Sequence, residues 1–137
     1  MDKRLFFLLN MAQKKLFKHI DSMCEQELDA SVTQLAALMY IAKVAGCGQK
    51  DVAQALELNK SAITGLVTRM EKNGLVQRVS SDDDARAVKL WPTPEGIDKI
   101  ERLKPLVDEL NNEFQREFSA EEIATVLRFF NFILNSF

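Results

Sequence analysis

Asn59-Lys-Ser-Ala-Ile-Thr-Gly-Leu-Val-Thr-Arg-Met-Glu-Lys-Asn-Gly74 is patterned as a helix with two different faces. Ile63, Leu66, Val67 and Met70 recur at helical spacing and predict a single buried stripe. Asn59 suits the cap of the first turn, and Asn73-Gly74 supplies a stop. The other face is left with Lys60, Ser61, Thr64, Gly65, Thr68, Arg69 and Lys72, short hydrogen-bonding groups with long cations among them. Across residues 60–78 four cations stand against one acid, Glu71, in a chain whose net charge is -2. Small polar side chains suit base edges and cations suit phosphates, which is the make-up of a DNA recognition helix. An ordinary amphipathic helix shares the stripe, so the flanking residues have to separate the two readings.

Those residues favour DNA. Residues 49–58 predict a short helix around Val52, Ala53 and Leu56, with only Glu57, Leu58 and Asn59 before the next one. Two helices joined this closely form a helix-turn-helix, in which the first braces the second. After Gly74 the pattern alternates: residues 75–79 and 88–91 predict two strands, joined by residues 80–86 with Asp82, Asp83 and Asp84 at the tip. A helix-turn-helix followed by a hairpin is a winged fold. Such a wing is expected to bring Arg78, Arg86 and Lys89 beside the recognition helix, with the cations on one side.

The termini read differently. Leu5, Leu9, Ala12, Leu16, Ile20 and Met23 recur every three or four residues and predict a first helix of about six turns. A second, alanine-rich helix follows, capped by Ser31 or Thr33 and ended by Gly46-Cys-Gly48. Thr93-Pro-Glu-Gly96 starts a long helix in which Pro105 predicts a kink rather than a stop, and Ser119-Ala-Glu-Glu122 is a capping box opening the last helix. All nine phenylalanines lie within residues 6–17 or 114–137. The simplest account is that the terminal helices pack together and bury their surplus apolar surface against a second copy; a monomer with a second core is the alternative.

Composition bounds what else is feasible. A chain of 137 residues suits one domain, or one small domain with helical extensions, and 47% apolar residues allow a real core. The Leu5-Phe-Phe-Leu-Leu9 cluster is broken by Asn10 and followed by Lys14, Lys15 and Lys18, so it reads as neither a membrane span nor a signal peptide. Two cysteines, Cys24 and Cys47, make no disulfide framework and no ligand-spaced metal pair, which favours a reducing cytoplasm. They read as small buried hydrophobes before redox groups. With His19 as the only histidine and no glycine-rich phosphate loop after a strand, no metal, cofactor or catalytic role is expected. Cations and acids number six and five over residues 1–48, seven and six over 49–89, and five and nine over 90–137. The acidity therefore sits away from the proposed reading helix.

The whole pattern resembles the MarR family of winged-helix transcription regulators over nearly the full chain. Residues 60–76 are similar to its recognition helix and first wing strand, Asp84-Ala-Arg86 to its Asp-x-Arg wing signature, and Thr93-Pro-Glu-Gly96 to its Thr-x-x-Gly start of the dimerisation helix. The fold expected is mainly α (α+β): a winged helix-turn-helix over residues 31–92, with helical dimerisation regions at 1–30 and 93–137. The resemblance implies a homodimer on a palindromic double-stranded DNA operator, repressing transcription until a small, often phenolic, ligand or an oxidant weakens the complex. It places Arg86 as the arginine inserted into the minor groove and Asp84 as the acid that orients it, while a solvated hairpin tip is the plainer alternative.

Three departures stand out. Gly65 occupies a position where a larger polar side chain is common, Pro92 replaces a leucine in a manner fitting the end of an edge strand, and Cys24 lies too late in the first helix for the oxidant-sensing pattern. A small aromatic effector would be expected where the first, second and fifth helices meet, with His19, Met23, Tyr40 and Trp91 as candidates, each of which can also be ordinary packing. A winged-helix dimer acting mainly as a protein-interaction module, with weak DNA binding, is the competing function.

Overall fold

The computed structural model describes residues 1–80 and 88–137. Asp82, Asp83, Asp84 and Arg86, the predicted wing tip, lie outside the described residues. In order along the chain come α1 (Leu5–Leu28), α2 (Val32–Lys43), β1 (Cys47–Gly48), α3 (Gln49–Leu56), α4 (Lys60–Lys72), β2 (Val76–Ser80), β3 (Val88–Pro92), α5 (Pro94–Glu117) and α6 (Ala120–Ser136). This is the mainly α fold with a small β wing that the periodicities predict. Two compact units divide the chain, Met1–Leu103 and Lys104–Phe137.

In the first unit the core is drawn from α1 to α4 and from the three strands. Leu35, Leu38 and Ile41 of α2, Val52 of α3, Met70 of α4 and Leu90 of β3 are buried almost completely. Helix ends are tied by side chains. Ser31, rather than Thr33, caps α2 by accepting from the Gln34 amide at 3.1 Å, and Asp21 of α1 accepts from the Val32 amide at 2.8 Å. At the far end of α1, Arg102 donates to the Glu27 carbonyl at 2.9 Å and Lys99 donates to the Leu28 carbonyl. Two cations of α5 therefore meet the negative end of α1, where orphan carbonyls need donors.

Helix α4 is bounded as its residues demand. The Asn59 side chain accepts from the Ala62 amide at 2.8 Å, which satisfies one of the free donors of the first turn. Gly74 closes the other end with φ +75, while the Leu75 amide returns to the Met70 carbonyl at 2.9 Å. Only glycine adopts that backbone freely.

The sheet differs from the predicted hairpin. Residues 46–48 do more than end α2: Cys47 and Gly48 form a third strand, paired with Leu90 and Lys89, and the order is β1-β3-β2. A two-residue strand has too little length for alternation to reveal it. Consequently β3 is the central strand, and Pro92 does not close an edge strand. It pairs with Val76 as the last residue of β3, where the missing N–H interrupts nothing because the next amide, Thr93, donates to the Leu75 carbonyl at 3.1 Å.

Thr93 then joins two elements. Its hydroxyl donates to the Gly74 carbonyl at 2.6 Å and accepts from the Gly96 amide at 3.0 Å, so one side chain holds the end of α4 and the start of α5 together. In the second unit α5 continues through Pro105 to Glu117, so the proline is no stop. The box at Ser119 and Glu122 opens α6, each side chain bonding the other's backbone amide at 2.9 and 3.2 Å. Hydrogen bonding from the Ser119 amide, and next from its hydroxyl, holds the Glu122 carboxyl below its usual range.

Candidate nucleic-acid interface

Ile63, Leu66, Val67 and Met70 bury one side of α4, as their spacing predicts. Lys60, Ser61, Thr64, Thr68, Arg69 and Lys72 are all exposed on the rest of it, and Gly65 is half-buried. The residues picked as a recognition surface are therefore brought together on one helix. An apolar stripe holds that helix to the core while its polar groups face outward.

Two threonines on this surface are already engaged. Thr64 donates to the Lys60 carbonyl at 2.8 Å, and Thr68 donates to the Thr64 carbonyl at 2.8 Å. From outside the helix, Gln49 of α3 donates to the Thr64 hydroxyl at 3.3 Å, and Arg78 of β2 donates through Nη2 to the Thr68 hydroxyl at 2.9 Å. The bond from Gln49 and the approach of Glu71 to Arg78 join separate elements, and such contacts leave no periodic trace in the sequence.

Arg78 and Lys89 do not gather on one side of the wing as expected. Arg78 pairs across the strands with fully buried Leu90, whereas Lys89 pairs with exposed Val79. Neighbouring strand residues point to opposite faces, so Arg78 turns inward to α4 and Lys89 turns out. Arg78 Nε lies 3.7 Å from Glu71 Oε1, and the side chain is only 29% exposed. Together with Gly74, Val76, Gln77, Val79 and Thr93, Glu71 and Arg78 line an open hollow between α4 and the wing.

Gly65 lies beneath Arg69: a Cβ built there would meet Arg69 Nη1 at 3.3 Å. That contact is with the free end of a flexible side chain, which can shift. Gly65→Ala is therefore expected to stabilise the fold by about 0.5–1 kcal/mol through helix propensity, and a rise in melting temperature of roughly 2–4 °C would register it.

The four candidate effector residues are dispersed among elements. His19 is exposed and Met23 half-buried one turn later on α1, and Tyr40 is half-buried on α2. Trp91 occupies the outer face of the sheet, its ring 3.1 Å from where a Gly46 Cβ would stand. None of the four lines the hollow beside α4. Both cysteines are buried. Burial, then the Asp21 and Glu25 charges, raises the Cys24 thiol above its ordinary value, and burial with Asp51 does the same for Cys47. Among the described residues no group of three His, Cys, Asp or Glu side chains is placed to hold a metal, and no helix is long and apolar enough to cross a membrane.

Comparison with known proteins agrees with this geometry. A family model described as the MarR family matches residues 28–87. The transcriptional regulator HosA of Escherichia coli O127:H6 is 31% identical over 80% of this chain and 82% of its own length. The HTH-type transcriptional regulator BilQ of Clostridioides difficile is 28% identical over 66% of this chain, and the match spans 62% of BilQ. Among solved structures, Staphylococcus aureus MepR in complex with DNA superposes with a TM-score of 0.83 at 24% identity, covering 96% of each chain. The helix-turn-helix, the wing and the HosA match together show that the chain belongs to the MarR family of winged helix-turn-helix transcription regulators, DNA-binding proteins and not enzymes.

Proposed function

We propose that this chain is a sequence-specific, double-stranded DNA-binding repressor of the cytoplasm, acting as a homodimer on a palindromic operator. The observation that carries the reading is the outward face of α4, where Lys60, Ser61, Thr64, Thr68, Arg69 and Lys72 are exposed on a helix anchored by its opposite side. Serine and threonine suit base edges, while Lys60, Arg69 and Lys72 suit phosphates. MepR, solved with DNA, shares the fold and supports a duplex as the partner. In this reading Arg86 enters the minor groove under the guidance of Asp84, and Lys89 meets the backbone beside it. A small aromatic effector bound near His19, Met23, Tyr40 or Trp91 releases the operator.

Selection of bound duplexes from random DNA tests the proposal. The expected result is a palindrome whose half-sites are centred about one helical turn apart, roughly 34 Å. Arg86→Ala is then expected to weaken binding to that duplex about tenfold or more without altering the melting temperature. A random pool that yields no preferred duplex would overturn the function, and an unchanged affinity for Arg86→Ala would remove the role given to that arginine.

A further inference from the structure

Thr64 and Thr68 lie one turn apart on the outward face of α4, and each has its hydroxyl hydrogen committed to the carbonyl four residues back. A threonine hydroxyl has one hydrogen and two lone pairs. One lone pair on Thr64 is taken by Gln49 Nε2 and one on Thr68 by Arg78 Nη2. Each side chain therefore retains one acceptor site and a γ-methyl group. Neither can donate to guanine O6 or N7 without giving up a bond inside the helix. The carbonyl bond and the outside donor together hold each threonine in one rotamer.

Arg78 is placed for this task rather than for phosphate. It leaves the middle of β2 on the buried side, opposite Leu90, and among the described residues Glu71 is the acid that approaches its guanidinium, at 3.7 Å. A phosphate-binding arginine keeps its fork open to the backbone of the duplex. Here one arm of the fork, Nη2, donates to a hydroxyl of the reading helix, and Nε is buried beside it.

We propose that Arg78 and Gln49 are positioning residues that lock Thr68 and Thr64 as acceptor-only, methyl-presenting side chains, so that α4 selects A·T base pairs. In the major groove an A·T pair offers an amino donor at adenine N6 and a methyl group at thymine C5, which are the two features this pair of threonines can meet. A G·C pair has an amino donor on cytosine but no methyl, and its guanine edge presents acceptors only. This inference rests on the DNA-binding reading above and adds the base pairs read and the residues that enforce them.

The test uses the intact protein and the duplex recovered by random selection. Replacing single thymines of the half-site by deoxyuridine removes only the C5 methyl, and a loss of about fivefold is expected at the contacted positions. Arg78→Ala should lower the preference for A·T over G·C at one base pair per half-site by about tenfold, while the slope of log affinity against log salt stays the same. Thr68→Val keeps the methyl and removes the hydroxyl, so it should reproduce that relaxed preference, and the double variant should be no worse than either single one.

A slope reduced by about one with base preference intact would make Arg78 a phosphate contact and overturn the inference alone. So would an unchanged preference in Thr68→Val, a variant that also carries the test if Arg78→Ala does not fold. A wild-type chain that selects no duplex overturns this inference together with the function it rests on.

Discussion

Gly96→Ala is expected to destabilise the protein by about 3 kcal/mol, a fall of roughly 10 °C in melting temperature. Gly96 is buried in the first turn of α5, where that helix crosses the start of the wing. A Cβ there would stand 2.4 Å from the Leu75 carbonyl oxygen and 3.0 Å from Leu38 Cδ1. The first of these is a backbone atom, so no rotamer change relieves it. Relief requires α5 to move away from residue 75, and Thr93 opposes that movement because it bonds Gly74 and Gly96 at once. The same substitution at Gly65 meets only the tip of Arg69 and has the opposite predicted sign. Thermal denaturation of both variants is a paired check, and a Gly96→Ala protein as stable as the parent would show that the close approach is not required.

Leu127→Glu combined with Leu134→Glu is expected to separate the proposed homodimer. The two leucines are seven residues apart on α6, hence on one face, and are 56% and 76% exposed in the single chain. Phe130 lies between them on the same stripe and is also exposed. Apolar surface on this scale is held out of water most simply by a second copy. Covering one leucine contributes about 1.5–3 kcal/mol, and a two-fold interface counts each substitution twice. The dissociation constant should therefore rise by at least about a thousandfold, and sedimentation at working concentration should shift from two chains to one. Circular dichroism should change little, because the substitutions are at exposed positions. A parent protein that sediments as a single chain would remove the dimer and, with it, the reason for a palindromic site.

Much of the candidate interface was legible from residue order because its determinants are local. The Asn59 cap, the stripe from Ile63 to Met70 and the Gly74 stop all act within a few residues of one another, and the helix they predict is the helix that forms. The capping box at Ser119 and Glu122 was readable for the same reason. The wing was legible only as far as alternation reaches. That pattern predicted β2 and β3, but it was silent on β1, whose two residues are ordered by pairing with β3. It also left open which cations face α4, since that depends on register, and register put Arg78 inside and Lys89 outside.

Taken by itself, the order of residues determined the succession of helices and strands, the outward polar face of α4 and the concentration of aromatic side chains at the two ends. These follow from periodicity and capping, which operate over one or two helical turns. Tertiary structure alone decided that Arg78 holds Thr68, that Gln49 reaches Thr64 fifteen residues away, and that Gly96 must lack a side chain to let α5 approach Leu75. Each of those depends on distant segments being placed within a few ångströms, and no local preference encodes such a distance.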